Sequence, residues 1–137
     1  VAKLHREFIW FAVAGAVGFA VDTGVLYAAL AVGCGPYAGR AISFLCAAFV
    51  TWQINRRITF TAAAGTSLWR EWCQYLAAMS LGGACNYGAY VLALHLLPHG
   101  PASPLLAVAA GSVAGMFVNF ATAKLWVFRT APQKGTK

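Results

Sequence analysis

Charge is scarce in this chain, and negative charge scarcest: 9% of the 137 residues are charged, and Glu7, Asp22 and Glu71 are the acids. A soluble domain carries roughly 25% charged and about 45–50% apolar residues, whereas 61% here are hydrophobic. So few charges cannot solvate a globule of this size, which excludes a soluble enzyme and a disordered tail. Paired cysteines are also lacking. Cys34, Cys46, Cys73 and Cys85 show neither a CxxC pair nor metal-ligand spacing, and Cys in an apolar run behaves as a small hydrophobe. That excludes a secreted disulfide scaffold. His95 and His99 are four apart, but Pro98 breaks the turn between them, so they read as interfacial residues and no metal site is expected. There is no glycine-rich nucleotide loop, which argues against ATP-driven pumping. No nucleophile and base stand together either, so the chain reads as non-enzymatic and without a cofactor.

Long apolar runs are what the sequence does have, and a membrane span needs roughly 20 such residues. Span one is expected from about Phe8 to Val32, stopped by Gly33-Cys34-Gly35-Pro36, which cannot continue a helix. Span two covers about Tyr37 to Ile54 and ends at Asn55-Arg56-Arg57, whose charges resist entering lipid. After a polar stretch, Thr59 to Ser67, span three runs from about Trp72 to Leu97 and closes at Pro98-His99-Gly100-Pro101. Ser103-Pro104 is expected to supply an N-cap and a first-turn proline for span four, about Leu105 to Phe128. The basic start resembles a signal peptide, but its apolar stretch is roughly twice the length of a signal core. It reads as an uncleaved span. The fold class expected is all-α: a polytopic membrane protein of four transmembrane helices.

The net charge of +7 is placed as topology, not as a nucleic-acid surface. Lys3, Arg6, Arg56, Arg57, Arg70, Lys124, Arg129, Lys134 and Lys137 all fall on one side of the four spans, and only Arg40 on the other. The positive-inside rule then puts both termini in the cytoplasm. Trp10, Trp52, Trp69, Trp72 and Trp126 sit near the same face, as an interfacial belt would.

The chain also repeats itself. Arg6-Glu7-Phe8 aligns with Arg70-Glu71-Trp72 at an offset of 64, and Gly18 with Gly82, Asp22 with Asn86 and Gly24 with Gly88 follow without a gap. The second spans align at an offset of 68: Thr51 with Asn119, Arg56 with Lys124, Phe60 with Phe128. The reading is one domain of two helical hairpins, about 6–60 and 70–128, packed as parallel repeats about an axis along the membrane normal. Small or polar residues recur every three or four positions on each span: Gly15, Gly18 and Asp22; Ser43, Ala47, Thr51 and Asn55; Gly83, Asn86 and Tyr90; Gly111, Gly115, Asn119 and Thr122. Such stripes serve close helix packing. Asp22 demands more, because an ionised Asp in mid-span costs roughly 2.5–3.5 kcal/mol on insertion scales. It must pair with a cation, face water or a polar ligand, or stay neutral.

A second constellation lies at the ends of spans two and four. Arg56 and Arg57 emerge beside Asn55, and Lys124 matches Arg56. Basic pockets at the cytoplasmic side suit anionic head groups, and Arg pairs with phosphate through a planar fork. With Trp52, Phe60, Trp126 and Phe128 as an aromatic rim, this reads as a phosphate site at headgroup depth; topology-setting charge is the simpler alternative.

Asn55-Arg56-Arg57-Ile58-Thr59-Phe60, together with Asn119-Phe120 and Lys124-x-Trp126-Val127-Phe128, resembles the GtrA-like family, and the Phe8–Gly18 opening is similar to that family's start. The resemblance covers about Glu7 to Phe128. It implies a small four-span protein of the bacterial cytoplasmic (inner) membrane that handles a polyprenyl-phosphate-linked sugar for surface polysaccharides, beside a membrane-associated glycosyltransferase. The phosphate would meet Arg56, Arg57 and Lys124, and the sugar would meet Asp22, Asn86 and Asn119, with Thr51 lining the same groove. Flipping of the lipid-linked sugar is the first expectation. A scaffold that recruits the glycosyltransferase and moves nothing is the second. A small multidrug or cation exporter is the third, opposed by the matched cations. A homodimer fits the little space that four helices enclose, though no residue demands it.

Overall fold

The computed structural model of the chain describes residues 1–60, 65 and 67–129. The described residues form helices and connecting turns. α1 spans Ala2–Ala31, α2 Pro36–Ile54, α3 Leu68–Leu96 and α4 Ser103–Thr122. Each second helix runs on into one π-helical turn, Asn55–Thr59 after α2 and Ala123–Val127 after α4. Four helices therefore stand where four apolar runs predict them. Lys134 and Lys137, counted above for orientation, lie outside the described residues, as do 61–64 and 66 of the polar stretch.

The breakers act as their chemistry requires. Gly33 takes φ +91 at the end of α1, a left-handed conformation that favours glycine. Pro36 opens α2, where its missing N–H costs nothing. Ser103 departs from the expectation. It is the first residue of α4, the N-cap is Ala102 without a side-chain cap, and the Ser103 hydroxyl donates to the Pro98 carbonyl. The hydroxyl closes the Pro98–Pro101 loop because that carbonyl lies within its reach.

The chain divides into two compact units, one holding Val1–Trp72, with which Phe128 clusters, and the other Cys73–Val127. In the first unit α1 and α2 form an antiparallel hairpin. A Cβ on Gly18 would strike Thr51 Cγ2, and one on Gly39 would touch Leu26 Cδ1 at 3.4 Å and Ala29 Cβ at 3.5 Å; as one helix ascends, the other descends. In the second unit α3 and α4 do the same. Gly82 abuts the Asn119 side chain, a Cβ on Gly115 would lie 2.8 Å from Asn86 Cβ, and one on Gly111 would lie 2.6 Å from the Asn86 carbonyl. Glycine at these crossings lets backbones approach as small-residue seams do in membranes.

The two hairpins bury matched positions. Glu7, Phe11, Ala14 and Gly18 are buried in α1, and Glu71, Tyr75, Ala78 and Gly82 in α3, each 64 residues on. Gly39, Ser43, Trp52, Asn55, Thr59 and Phe60 are buried, and so are Ala107, Gly111, Phe120, Ala123, Val127 and Phe128, each 68 on. The π turns obey the same 68-residue offset.

Apart from Phe11, Trp52, Phe60, Tyr75, Phe120, Val127 and Phe128, which are buried, the large apolar side chains among the described residues are half-buried or exposed. Phe19, Tyr27, Leu92, Leu105 and Phe117 are all more than half exposed, while small residues fill the seams. A soluble helix bundle does the reverse, since exposed apolar surface on that scale marks contact with a nonaqueous partner. Two helical stretches, Ala2–Ala31 and Ser103–Val127, are long and apolar enough to cross a membrane, with only 17% and 22% of their most apolar windows buried. Core helices of a soluble protein would be mostly buried.

Candidate functional site

At the Asn55 end of the first unit, α2 and the opening of α3 build a charged and aromatic cluster. Glu71, 2% exposed, accepts hydrogen bonds on Oε1 from Trp52 Nε1 at 2.9 Å and from Arg56 Nε at 2.8 Å. Trp52, Trp72 and Phe49 pack at centroid distances of 5.2 to 5.7 Å, and the Arg56 guanidinium carbon lies 5.7 Å from the Trp52 ring centre. Charge-assisted bonds are about twice as strong as neutral ones, so Arg56 is fixed from two sides. Its Nε is committed to Glu71. The guanidinium carries five N–H donors in a fixed fork, and the terminal nitrogens are the edge an incoming anion would meet. Arg57, next in the π turn, is exposed.

Asn55 is buried and acts inside the turn. Its Oδ1 accepts the Thr59 hydroxyl at 2.8 Å, and its carbonyl accepts the Phe60 N–H at 2.7 Å. The aromatic rim read from the sequence needs correction. Trp52, Phe60 and Phe128 are buried, because Phe60 stacks on Phe128 at 5.2 Å and packs against Phe11 at 6.3 Å. These rings anchor the end of the helix. Trp126 alone of the four is exposed, at 47%. Lys124, half-buried in the second unit, holds the place in its π turn that Arg56 holds in the first.

Asp22 lies toward the other end of the first hairpin and has found a cation. Arg40 Nη1 sits 2.6 Å from Asp22 Oδ2, while Asp22 Oδ1 is buried without a hydrogen-bond partner. Thr51 faces Gly18 with its methyl group and donates its hydroxyl to the Ala48 carbonyl at 3.1 Å. In the second unit Asn119 lies against Gly82, and its Oδ1 is likewise buried without a partner; Asn86 lies against Gly111 and Gly115. The structure thus brings Asn55, Arg56 and Arg57 onto one turn of the first unit with Trp52 beside them. Within the second unit it sets Asn86 and Asn119 on the α3–α4 seam.

Sequence reasoning missed two residues here. Glu71 served only as a marker of the repeat, although an acid recurring at matched places (Glu7 and Glu71) in so acid-poor a chain was a signal that it is held. Arg40 was counted only for orientation. Its being the lone cation on its side, in the same hairpin as the lone mid-span acid, was the available clue.

The family model described as GtrA/DPMS, transmembrane domain, matches residues 10–128. No curated protein matches the chain.

Proposed function

The chain belongs to the GtrA/DPMS transmembrane-domain family, and from that premise we propose that it flips a polyprenyl-phosphate-linked monosaccharide across the bacterial inner membrane. The family is one of flippase-type membrane proteins for lipid-linked sugars. The supporting observation is that each hairpin carries buried acceptors with no donor, Asp22 Oδ1 and Gln53 Oε1 in the first and Asn119 Oδ1 in the second. An unsatisfied buried acceptor costs about 1–3 kcal/mol, a penalty that packing alone would remove by using an apolar side chain. Sugar hydroxyls are donors of the kind these oxygens lack.

The remaining assignments follow the same reading. The domain is a single one of two duplicated hairpins, crossing the membrane four times with both termini cytoplasmic. Arg57 and the terminal nitrogens of Arg56 take the phosphate on the cytoplasmic side, where a membrane-associated glycosyltransferase delivers the lipid; Lys124 is the corresponding cation of the second hairpin. Trp126 marks headgroup depth. The protein carries out no bond-making chemistry, and a homodimer is compatible with it.

One observation favours the scaffold reading: the Arg40 ion pair gives Asp22 a partner without any substrate. The two readings part at Asp22→Asn. The replacement is close to isosteric and is the residue α3 carries at Asn86, but it exchanges one acceptor oxygen for a donor. In proteoliposomes reporting a labelled lipid sugar on the opposite leaflet, the flippase reading expects a folded Asp22→Asn protein with impaired transport. Wild-type transport by Asp22→Asn would remove Asp22 from the mechanism, whereas no transport by either protein would leave the scaffold.

A further inference from the structure

Arg40 is held in an unusual direction. Gly39 is level with Leu26 and Ala29 of α1, so Asp22 lies at least one helical turn deeper into the hairpin, about 5 Å or more. An arginine near a helix end ordinarily snorkels toward the headgroups. Here the guanidinium is drawn the opposite way, to 2.6 Å from Asp22 Oδ2, yet the Arg40 side chain remains 60% exposed.

Packing does not explain the pair. The second hairpin makes the corresponding crossing, Gly82 on Asn119 as Gly18 on Thr51, with Asn86 in place of Asp22 and Val108 in place of Arg40. Both charges are missing together, and the seam forms without them. Something other than helix association therefore accounts for a cation and an acid at this end.

The contact has the character of a latch. It is a single-point bond on one Nη, leaving the rest of the guanidinium fork exposed, and it sits beside the unpartnered Asp22 Oδ1. A group that brings an anion and a hydroxyl together would satisfy both: oxyanion to the free edge of Arg40, hydroxyl to Asp22 Oδ1. Phosphate esters of polyols have that composition. The other end of α2 has the same form, since Arg56 is tied through one nitrogen to one carboxylate oxygen of Glu71. Sixteen residues separate the two arginines, about 24 Å along a helix.

We propose that Arg40 and Asp22 form a second phosphate-ester station, at the end of α2 opposite Arg56 and Arg57, which receives the phosphate group after translocation. This rests on the flippase reading and adds a release site to it. Asp22 holds Arg40 inward while the station is empty, and the arriving oxyanion competes for the same cation. Arg40, not Asp22, then supplies the binding charge.

The test maps arginine reactivity by residue. The whole protein in phosphatidylcholine nanodiscs is treated with phenylglyoxal, and modification at Arg40, Arg56 and Arg57 is read from peptide masses, without probe, with polyprenyl phosphate, or with inorganic phosphate. The expected result is slower modification of Arg40 with polyprenyl phosphate, by about tenfold for a charge-assisted contact. Asp22→Asn should raise the probe-free rate at Arg40 by unlatching it. Equal protection by inorganic phosphate supports a station that reads the anion alone; protection by the lipid only supports one that also uses the prenyl chain. Protection at Arg56 and Arg57 without any at Arg40 overturns the second station and leaves the flippase reading standing. Protection at none of the three overturns both. An Arg40 that reacts identically in wild type and Asp22→Asn, with and without either probe, overturns the latch.

Discussion

Glu71 shows how one buried side chain governs the charge beside it. Its Oε1 holds Trp52 and Arg56 at once, so Glu71→Gln keeps an acceptor for the indole but strands the guanidinium without a counter-charge. Removing one partner of a buried ion pair typically costs 3–5 kcal/mol. Arg56 retains some access to water, which places the expected loss near the bottom of that range, about 3 kcal/mol. Unfolding in detergent micelles should show it, with a change in tryptophan emission because Trp52 and Trp72 pack against each other there. Adding Arg56→Gln should recover much of the stability, since the stranded cation is then gone. A double variant no more stable than Glu71→Gln would mean that the pair is not what Glu71 stabilises. The pairing was hidden in the sequence because an acid beside Arg70 at a helix start reads as solvated charge. Only the return of α2 against the start of α3 reveals its burial. Asp22 was legible as an anomaly, whereas Arg40 was not legible as its answer, because the match depends on which residues are level across a hairpin.

Among the elements, the helix seams are where sequence and structure agree most closely. Gly111 cannot accept a methyl group cheaply: a Cβ would lie 2.6 Å from the Asn86 backbone carbonyl, and a backbone atom cannot rotate away. Gly24 and Gly88 have open space at the Cβ position. Gly111→Ala should therefore destabilise the second hairpin by about 1–3 kcal/mol, the usual cost of overpacking. Gly24→Ala should instead be neutral or stabilise by up to about 1 kcal/mol through helix propensity. Thermal unfolding of the two variants in the same micelle would decide, and equal destabilisation would refute the seam. Four apolar runs with Gly/Pro breakers made the helices readable. The π turns were not. Asn55-Arg56-Arg57-Ile58-Thr59 and Ala123-Lys124-Leu125-Trp126-Val127 share a basic second position and buried ends, a pattern that an ordinary final α turn would also show. The Asn55–Thr59 bond is not the cause, because Ala123 and Val127 form a π turn without it.

For the whole molecule, the deciding property is its surface, where most of the large apolar side chains lie while glycine and alanine occupy the helix crossings. That surface suits lipid, and the positive-inside rule applied to the basic residues expects both termini in the cytoplasm. With the four native cysteines replaced, a cysteine at exposed Ala102 should react with an impermeant maleimide added outside the cell, and one at Ser67 only after permeabilisation. The reverse pattern would invert the topology.

The spacing of the two arginines on α2 has a consequence for the bilayer itself. Their backbones stand about 24 Å apart along the helix, against about 30 Å of hydrocarbon in an ordinary membrane, and Arg40 is drawn inward to Asp22 instead of reaching out to make up the difference. Lipid beside α2 must thin, or the helix must leave one cation short of the interface, and such mismatch costs fractions of a kcal/mol per ångström. Thinning would also shorten the distance a polar headgroup travels through oil. Transport in proteoliposomes should accordingly fall as acyl chains lengthen, and a rate indifferent to acyl length would show that the membrane does not conform to this helix.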